Sequence, residues 1–151
     1  MESRQFTLSV SAARELVRGA GLRCTTCRVA VLQHLAESAS PISHADLADV
    51  LVPAGYDKST VYRCLVELAE AGIISRLDLG DHVWRFELRS GQDETAEHAG
   101  AEHPHFMCLD CGKVTCLPEI EVKIVPTGSK KPALMGDVTE VFLKGHCTEC
   151  K

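Results

Sequence analysis

Four cysteines in two C-x-x-C pairs carry the clearest chemistry in this chain: Cys108 with Cys111, and Cys147 with Cys150. Each pair lets two thiolates reach one ion from a tight turn. Two pairs supply the four soft ligands of a closed, tetrahedral zinc site. Just ahead of the first pair stands His103-Pro104-His105. In an extended strand residues i and i+2 share a face, so both imidazoles point the same way. That pair suits a divalent transition metal. The expectation is one structural metal and a second, exchangeable one beside it.

The remaining thiols are weaker signals. Cys24 and Cys27 form a third C-x-x-C at a helix start, where thiolates are stabilised. They have no second pair nearby and no βαβ context, so they read as helix residues that happen to be Cys. Cys64 reads as packing. Cys116 reads as a strand residue, with metal or redox participation as the lesser alternative. A nucleobase deaminase would need H-x-E with P-C-x-x-C. No Glu follows His103 at that spacing, and Met107 precedes Cys108. A four-Cys zinc also leaves no open position for a catalytic water. A non-enzymatic role is therefore expected.

No apolar run approaches membrane-spanning length, and Met1-Glu2-Ser3-Arg4 opens no signal-peptide core. The expected setting is cytoplasmic, with no membrane partner. The eight Cys are then ligands or core residues rather than disulfides. The net charge of -5 is uneven. Residues 1–76 hold eight Lys/Arg and eight Asp/Glu, whereas residues 77–151 hold eight and thirteen. Any nucleic acid would be bound by the first half, through the local placement of arginine.

The elements that must position these groups come in order. Residues 10–19 read as a helix ended by Gly19 and Gly21. Thr25 caps a second, with Val29, Leu32 and Leu35 on its apolar face. Ser43 and Asp46 form a capping box for a third, stopped by Pro53 and Gly55. Asp57 or Ser59 caps a fourth, from Lys58 to about Ala71. Two short β-rich runs, I-I-S-R-L-D and V-W-R-F-E-L, then read as a hairpin. Helices followed by a hairpin give a winged helix-turn-helix. On the fourth helix Val61, Leu65 and Leu68 share one side, and Ser59, Tyr62, Arg63 and Val66 the other. The outer face fits a major groove, with Arg63 on guanine or phosphate and Tyr62 on a thymine methyl or phosphate. Ser59 and Thr60 complete the candidate contact set.

Residues 89–102 are polar, acidic and poor in apolar anchors, and read as a hinge or loop. Beyond it F-M-C-L, K-V-T-C-L, I-E-V-K-I-V and V-T-E-V-F-L read as strands. The fold class is thus α+β. A DNA-binding winged-helix domain covers residues 1–88, and a small zinc-stapled, mostly stranded domain covers 103–151. So small a domain needs metal and dimerisation to be stable.

The chain resembles the ferric uptake regulator family of metal-dependent transcription factors over nearly its whole length. The carrying segments are G-L-R-C-T-T-C-R-V-A-V-L, S-T-V-Y-R-C-L, A-G-I-I-S-R, R-F-E-L, H-P-H-F-M-C-L-D-C-G-K-V and G-H-C-T-E-C. The resemblance implies a homodimer that binds a palindromic operator in double-stranded DNA when metal is loaded, acting as a repressor. It implies that Tyr62 and Arg63 contact DNA and that Arg23 reaches the minor groove. It assigns Cys108, Cys111, Cys147 and Cys150 to structural Zn2+. His103, His105 and Glu87 become ligands of a regulatory metal: Fe2+, Zn2+ or Mn2+. A His/carboxylate set leans to Fe2+ or Mn2+, and a Cys ligand would lean to Zn2+. Metal shared by Glu87 and the two His would fix the angle between the domains. Zinc-uptake control or peroxide sensing on the same scaffold is the alternative. Departures from the family pattern are Pro41, where a sensing His is common, and a poor match to the dimerisation helix after C-G-K. His44, His82, His98 or Glu102 is expected to replace the missing ligand.

Overall fold

The structure, a computed structural model, describes residues 7–89, 103–125, 127–128, 136, 138 and 140–150. His98, Glu102 and nearly all of the expected hinge lie outside the described residues. The chain divides into two compact units, Met1–Ser90 and Gly91–Lys151.

The first unit runs α1 (Val10–Gly19), α2 (Thr26–Glu37), β1 (Ile42–Ser43), α3 (His44–Leu51), α4 (Lys58–Glu70), β2 (Ile74–Asp78) and β3 (Trp84–Leu88). Each helix starts where a short polar side chain takes up an orphan backbone N–H. Ser9 accepts from Ala12, Thr25 from Arg28, Ser43 from Asp46, and Asp57 from Ser59 and Thr60. At the third helix the Ser43 hydroxyl also donates to the Asp46 carboxylate at 2.6 Å. Past the Ala71 cap of α4 stands Gly72, whose φ of 78° is open to glycine. There the N–H of Ile73 reaches back to the carbonyl of Leu68. The core joins Val17, Val31, Leu32, Leu47, Val61, Leu65, Leu68 and Phe86, all fully buried.

The hairpin pairs β2 with β3 in antiparallel register, Ile74 with Leu88 through Asp78 with Trp84. β1 adds to the other edge of β3, giving the order β1-β3-β2. Asp78 and Asp81 accept from the turn N–H groups of Gly80 and Val83. Arg76 lies over the Trp84 ring, 4.1 Å from its centroid, bracing the hairpin across its strands.

The second unit holds a three-stranded sheet in the order β5-β4-β6. β4 (His105–Cys108) pairs antiparallel with β5 (Val114–Cys116) and parallel with β6 (Phe142–Gly145). Two strand expectations need correction. I-E-V-K-I-V forms no strand: residues 121–125 are irregular and exposed, with Val125 76% accessible. Alternation marks a strand only where a neighbour can take up its N–H and C=O groups, and the described residues offer this segment none. In V-T-E-V-F-L, Val138, Glu140 and Val141 are not in a strand; β6 begins at Phe142 and runs on to Gly145. Gly145 is where Phe106 packs closest, since a Cβ there would stand 3.2 Å from its ring.

Candidate metal centres and nucleic-acid interface

The four-Cys centre is built from two matching turns. Cys108 closes β4, and the chain folds back so that the N–H of Gly112 meets the carbonyl of Cys108 at 3.0 Å. Gly112 has φ 70°, which lets Cys111 swing under Cys108. After β6 the N–H of Cys150 returns to the carbonyl of Cys147 at 3.3 Å. β4 and β6 lie side by side, so both turns leave the same end of the sheet. The sulfurs of Cys108 and Cys150 stand 4.0 Å apart, those of Cys111 and Cys147 3.9 Å, and all four fall within 4.8 Å of one another. A tetrahedral ion with metal–sulfur bonds of about 2.3 Å needs sulfurs about 3.8 Å apart, so the cage fits zinc with little adjustment.

The electrostatics agree with that fit. Backbone N–H groups of Cys111 and Cys147 directed at its sulfur bring the Cys108 thiol down to about 6. The Cys147 N–H lies 3.3 Å from it. Hydrogen bonds with the sulfurs of Cys147 and Cys111 hold the Cys150 thiol above its ordinary value. The N–H groups aimed at Cys108 favour the thiolate form that binds a cation. Two polar pairs tie the turns together: Lys113 to Glu149 at 3.0 Å, and His146 to Asp110 at 2.7 Å.

A second cluster lies on the same sheet. His105 is directly opposite Cys116 in the β4–β5 ladder, so the two side chains share a face. His103 stands just ahead of β4, and its ring centroid is 4.7 Å from that of His105. One ligand atom from each of His103, His105 and Cys116 falls within 4.8 Å of the others. His105 is buried and rests against Phe142. Reading residues one at a time ranked Cys116 as a mere strand residue. Its signal was register: it lies where an antiparallel return from C-x-x-C must bring it opposite the second His.

Three other expected ligands, Glu87, His44 and His82, belong to the first unit. Glu87 is half-buried on β3 of the first unit, across from Ser75. His44 Nε2 lies 3.1 Å from the carbonyl of Lys58, and its ring meets Tyr62 edge-on. It therefore braces the start of α4. His82 occupies the exposed hairpin turn with φ 62°. Among the described residues neither His44 nor His82 joins a ligand cluster. Pro41 is buried ahead of β1.

On α4, Val61, Leu65 and Leu68 are buried, and Ser59, Thr60, Tyr62 and Arg63 are exposed. Arg23 is exposed on the α1–α2 turn. Its position depends on a residue that sequence reasoning passed over. The Arg28 guanidinium, 13% exposed, donates both to the Arg23 carbonyl and to the Glu67 carboxylate on α4. Arg28 thereby couples the turn carrying Arg23 to the helix carrying Tyr62 and Arg63. Beside it, burial and the neighbouring Cys27 thiol push the Cys64 thiol up to about 12, which fits a packing role.

A winged-helix unit, an exposed polar face on its last helix and two ligand clusters on a separate small sheet define a metal-responsive DNA-binding regulator. The profile of the ferric uptake regulator family matches residues 19–129. The chain is 33% identical to the ferric uptake regulation protein of Shigella flexneri over 138 residues, 88% of this chain and 86% of that one. Its fold matches the crystal structure of the Vibrio cholerae ferric uptake regulator with TM-score 0.61 at 24% identity, over 89% and 98% of the two chains. It matches the Pseudomonas aeruginosa ferric uptake regulator, solved with manganese, with TM-score 0.60 at 25% identity, over 90% and 98%. The chain belongs to the ferric uptake regulator family, whose members are transcription regulators that bind DNA and act as dimers.

Proposed function

We propose that this chain acts in the cytoplasm as a non-catalytic homodimer that represses transcription from a palindromic operator. In this reading a divalent metal at a regulatory site switches DNA affinity, and zinc in the four-Cys cage is permanent. The observation that carries it is the existence of two ligand clusters of different character: one all-thiolate and closed, one built on imidazoles. His103, His105 and Cys116 supply the second cluster, and the family pattern adds Glu87. Bound there, a metal supplies positive charge that neutral imidazole and carboxylate can share. The protein residues do the rest. Glu87 belongs to the wing and the other three to the small sheet, so common ligation ties one unit to the other. On the wing side Arg63 and Tyr62 read the major groove, Arg23 enters the minor groove, and Arg28 holds their spacing. Two recognition helices then meet major grooves about 34 Å apart. No described helix is long and apolar enough to cross a membrane.

The test joins metal content to DNA affinity. Wild type should carry two metals per chain, one removable by mild chelation, and should bind its operator only with the second present. A His103→Ala/His105→Ala variant should keep the structural zinc, lose the second metal and lose metal-dependent binding. Equal operator affinity in both proteins, at every metal concentration, would sink the reading.

A further inference from the structure

We infer that Cys116 is a direct ligand of the regulatory site and that its thiolate sets the site for zinc over iron or manganese. The inference rests on the reading that His103 and His105 form that site, and adds both a ligand and a metal to it. The geometry comes from the ladder. His105 and Cys116 are register partners on one face of the β4–β5 pair, and a β-ladder does not let them drift apart. His103 brings its ring alongside. Zinc held by imidazole nitrogen and thiolate needs donor atoms about 3.3–3.8 Å apart. The three donors already lie within 4.8 Å, a difference that side-chain rotation closes.

Donor chemistry then selects the ion. Fe2+ and Mn2+ favour imidazole and carboxylate oxygen with higher coordination numbers, whereas one thiolate with two imidazoles suits four-coordinate zinc. The other cysteines of the chain do not compete for this role. Cys108, Cys111, Cys147 and Cys150 share their own cage, Cys27 and Cys64 are buried in the core of the first unit, and Cys24 packs against that core.

Zn2+ outcompetes Fe2+ and Mn2+ at most nitrogen, oxygen or sulfur sites. The measurement is therefore the change in preference on substitution, not the preference itself. Full-length protein retaining its four-Cys zinc is titrated with Co2+, then with Zn2+ and Mn2+ in competition. Wild type, Cys116→Ser and Cys116→Glu are compared, with His103→Ala/His105→Ala as the control. Wild type should take up one Co2+ beyond the structural zinc, with a near-ultraviolet thiolate-to-cobalt charge-transfer band. That band should vanish in Cys116→Ser. Zinc affinity at this site should fall at least about 10–100-fold, the range that even a lost outer-shell partner produces. Mn2+ affinity should change less, and Cys116→Glu should raise it relative to zinc.

An unchanged band and an unchanged Zn2+/Mn2+ ratio in Cys116→Ser would overturn the inference. If His103→Ala/His105→Ala still abolished the second metal, the proposed function would survive that result. No second Co2+ in wild type would overturn both. One retained zinc per chain and an unaltered circular dichroism spectrum establish that each variant is folded.

Discussion

The two units of this protein solve the same problem with different materials. The first closes a hydrophobic core around Leu32, Leu65, Leu68 and Phe86, with four capped helices packed on a small sheet. The second has almost nothing of the kind. Among its described residues the buried ones are Pro104, His105, Cys108 and Val114. Ile120, Val122, Ile124 and Val125 are all exposed. A hydrophobic core is held by area removed from water. A thiolate cage is held by a few strong bonds to one ion. The first unit should therefore tolerate loss of metal, and the second should tolerate little else.

The largest expected effect separates the units outright. Cys108→Ser, or stripping zinc with a strong chelator, removes a contribution of about 10 kcal/mol or more. Hydrogen exchange should then become fast across β4, β5 and β6 while α2 and α4 keep their protection. Loss of protection in both units together would show that the first depends on the second. The converse lesion is Leu65→Ala, at a fully buried position. It should cost about 2–5 kcal/mol and lower the thermal transition of the first unit with zinc content unchanged.

Arg28→Ala should cost about 1.5–3 kcal/mol, by removing charge-assisted hydrogen bonds to Glu67 and the Arg23 carbonyl. Here the sharper readout is DNA affinity in a double-mutant cycle with Arg23→Ala. If Arg28 positions Arg23, the second substitution should add little to the first. Strictly additive losses would leave Arg28 a purely structural residue.

The smallest effect concerns pH. The hydrogen bond from the Ser59 hydroxyl, with the Thr60 N–H, holds the Asp57 carboxyl below its ordinary 3.8. A depressed carboxylate stabilises the fold above that value and loses its contribution as pH falls through the lowered one. The first turn of α4 should thus fray in acid, and Asp57→Asn should flatten that dependence. Chemical shifts of the Ser59 and Thr60 amides, followed against pH, read it directly.

Much of the first unit was legible because its signals are local. Thr25, Ser43 and Asp57 mark helix starts through bonds to N–H groups two or three residues away. Val61, Leu65 and Leu68 mark a buried face through spacing on one helix. The second unit was less legible because strands are completed by partners distant in sequence. I-E-V-K-I-V alternates as a strand should, yet has no described neighbour to pair with. His44 offered the right donor for a missing ligand, but it is engaged with Lys58 and Tyr62 inside its own unit.

The sequence by itself determined what is chemically necessary: the helix caps, the apolar face of α4, and two C-x-x-C pairs whose spacing admits one ion between them. These depend on contacts a few residues long or on ligand geometry with a single solution. Only the tertiary structure decided what depends on register. It set His105 against Cys116, joined the Arg28 guanidinium to Glu67 across 39 positions of sequence, and aligned β4 with β6 so that both turns deliver their sulfurs to one cage. A one-residue slip in any ladder would send those side chains to the opposite face, and no local propensity records that choice.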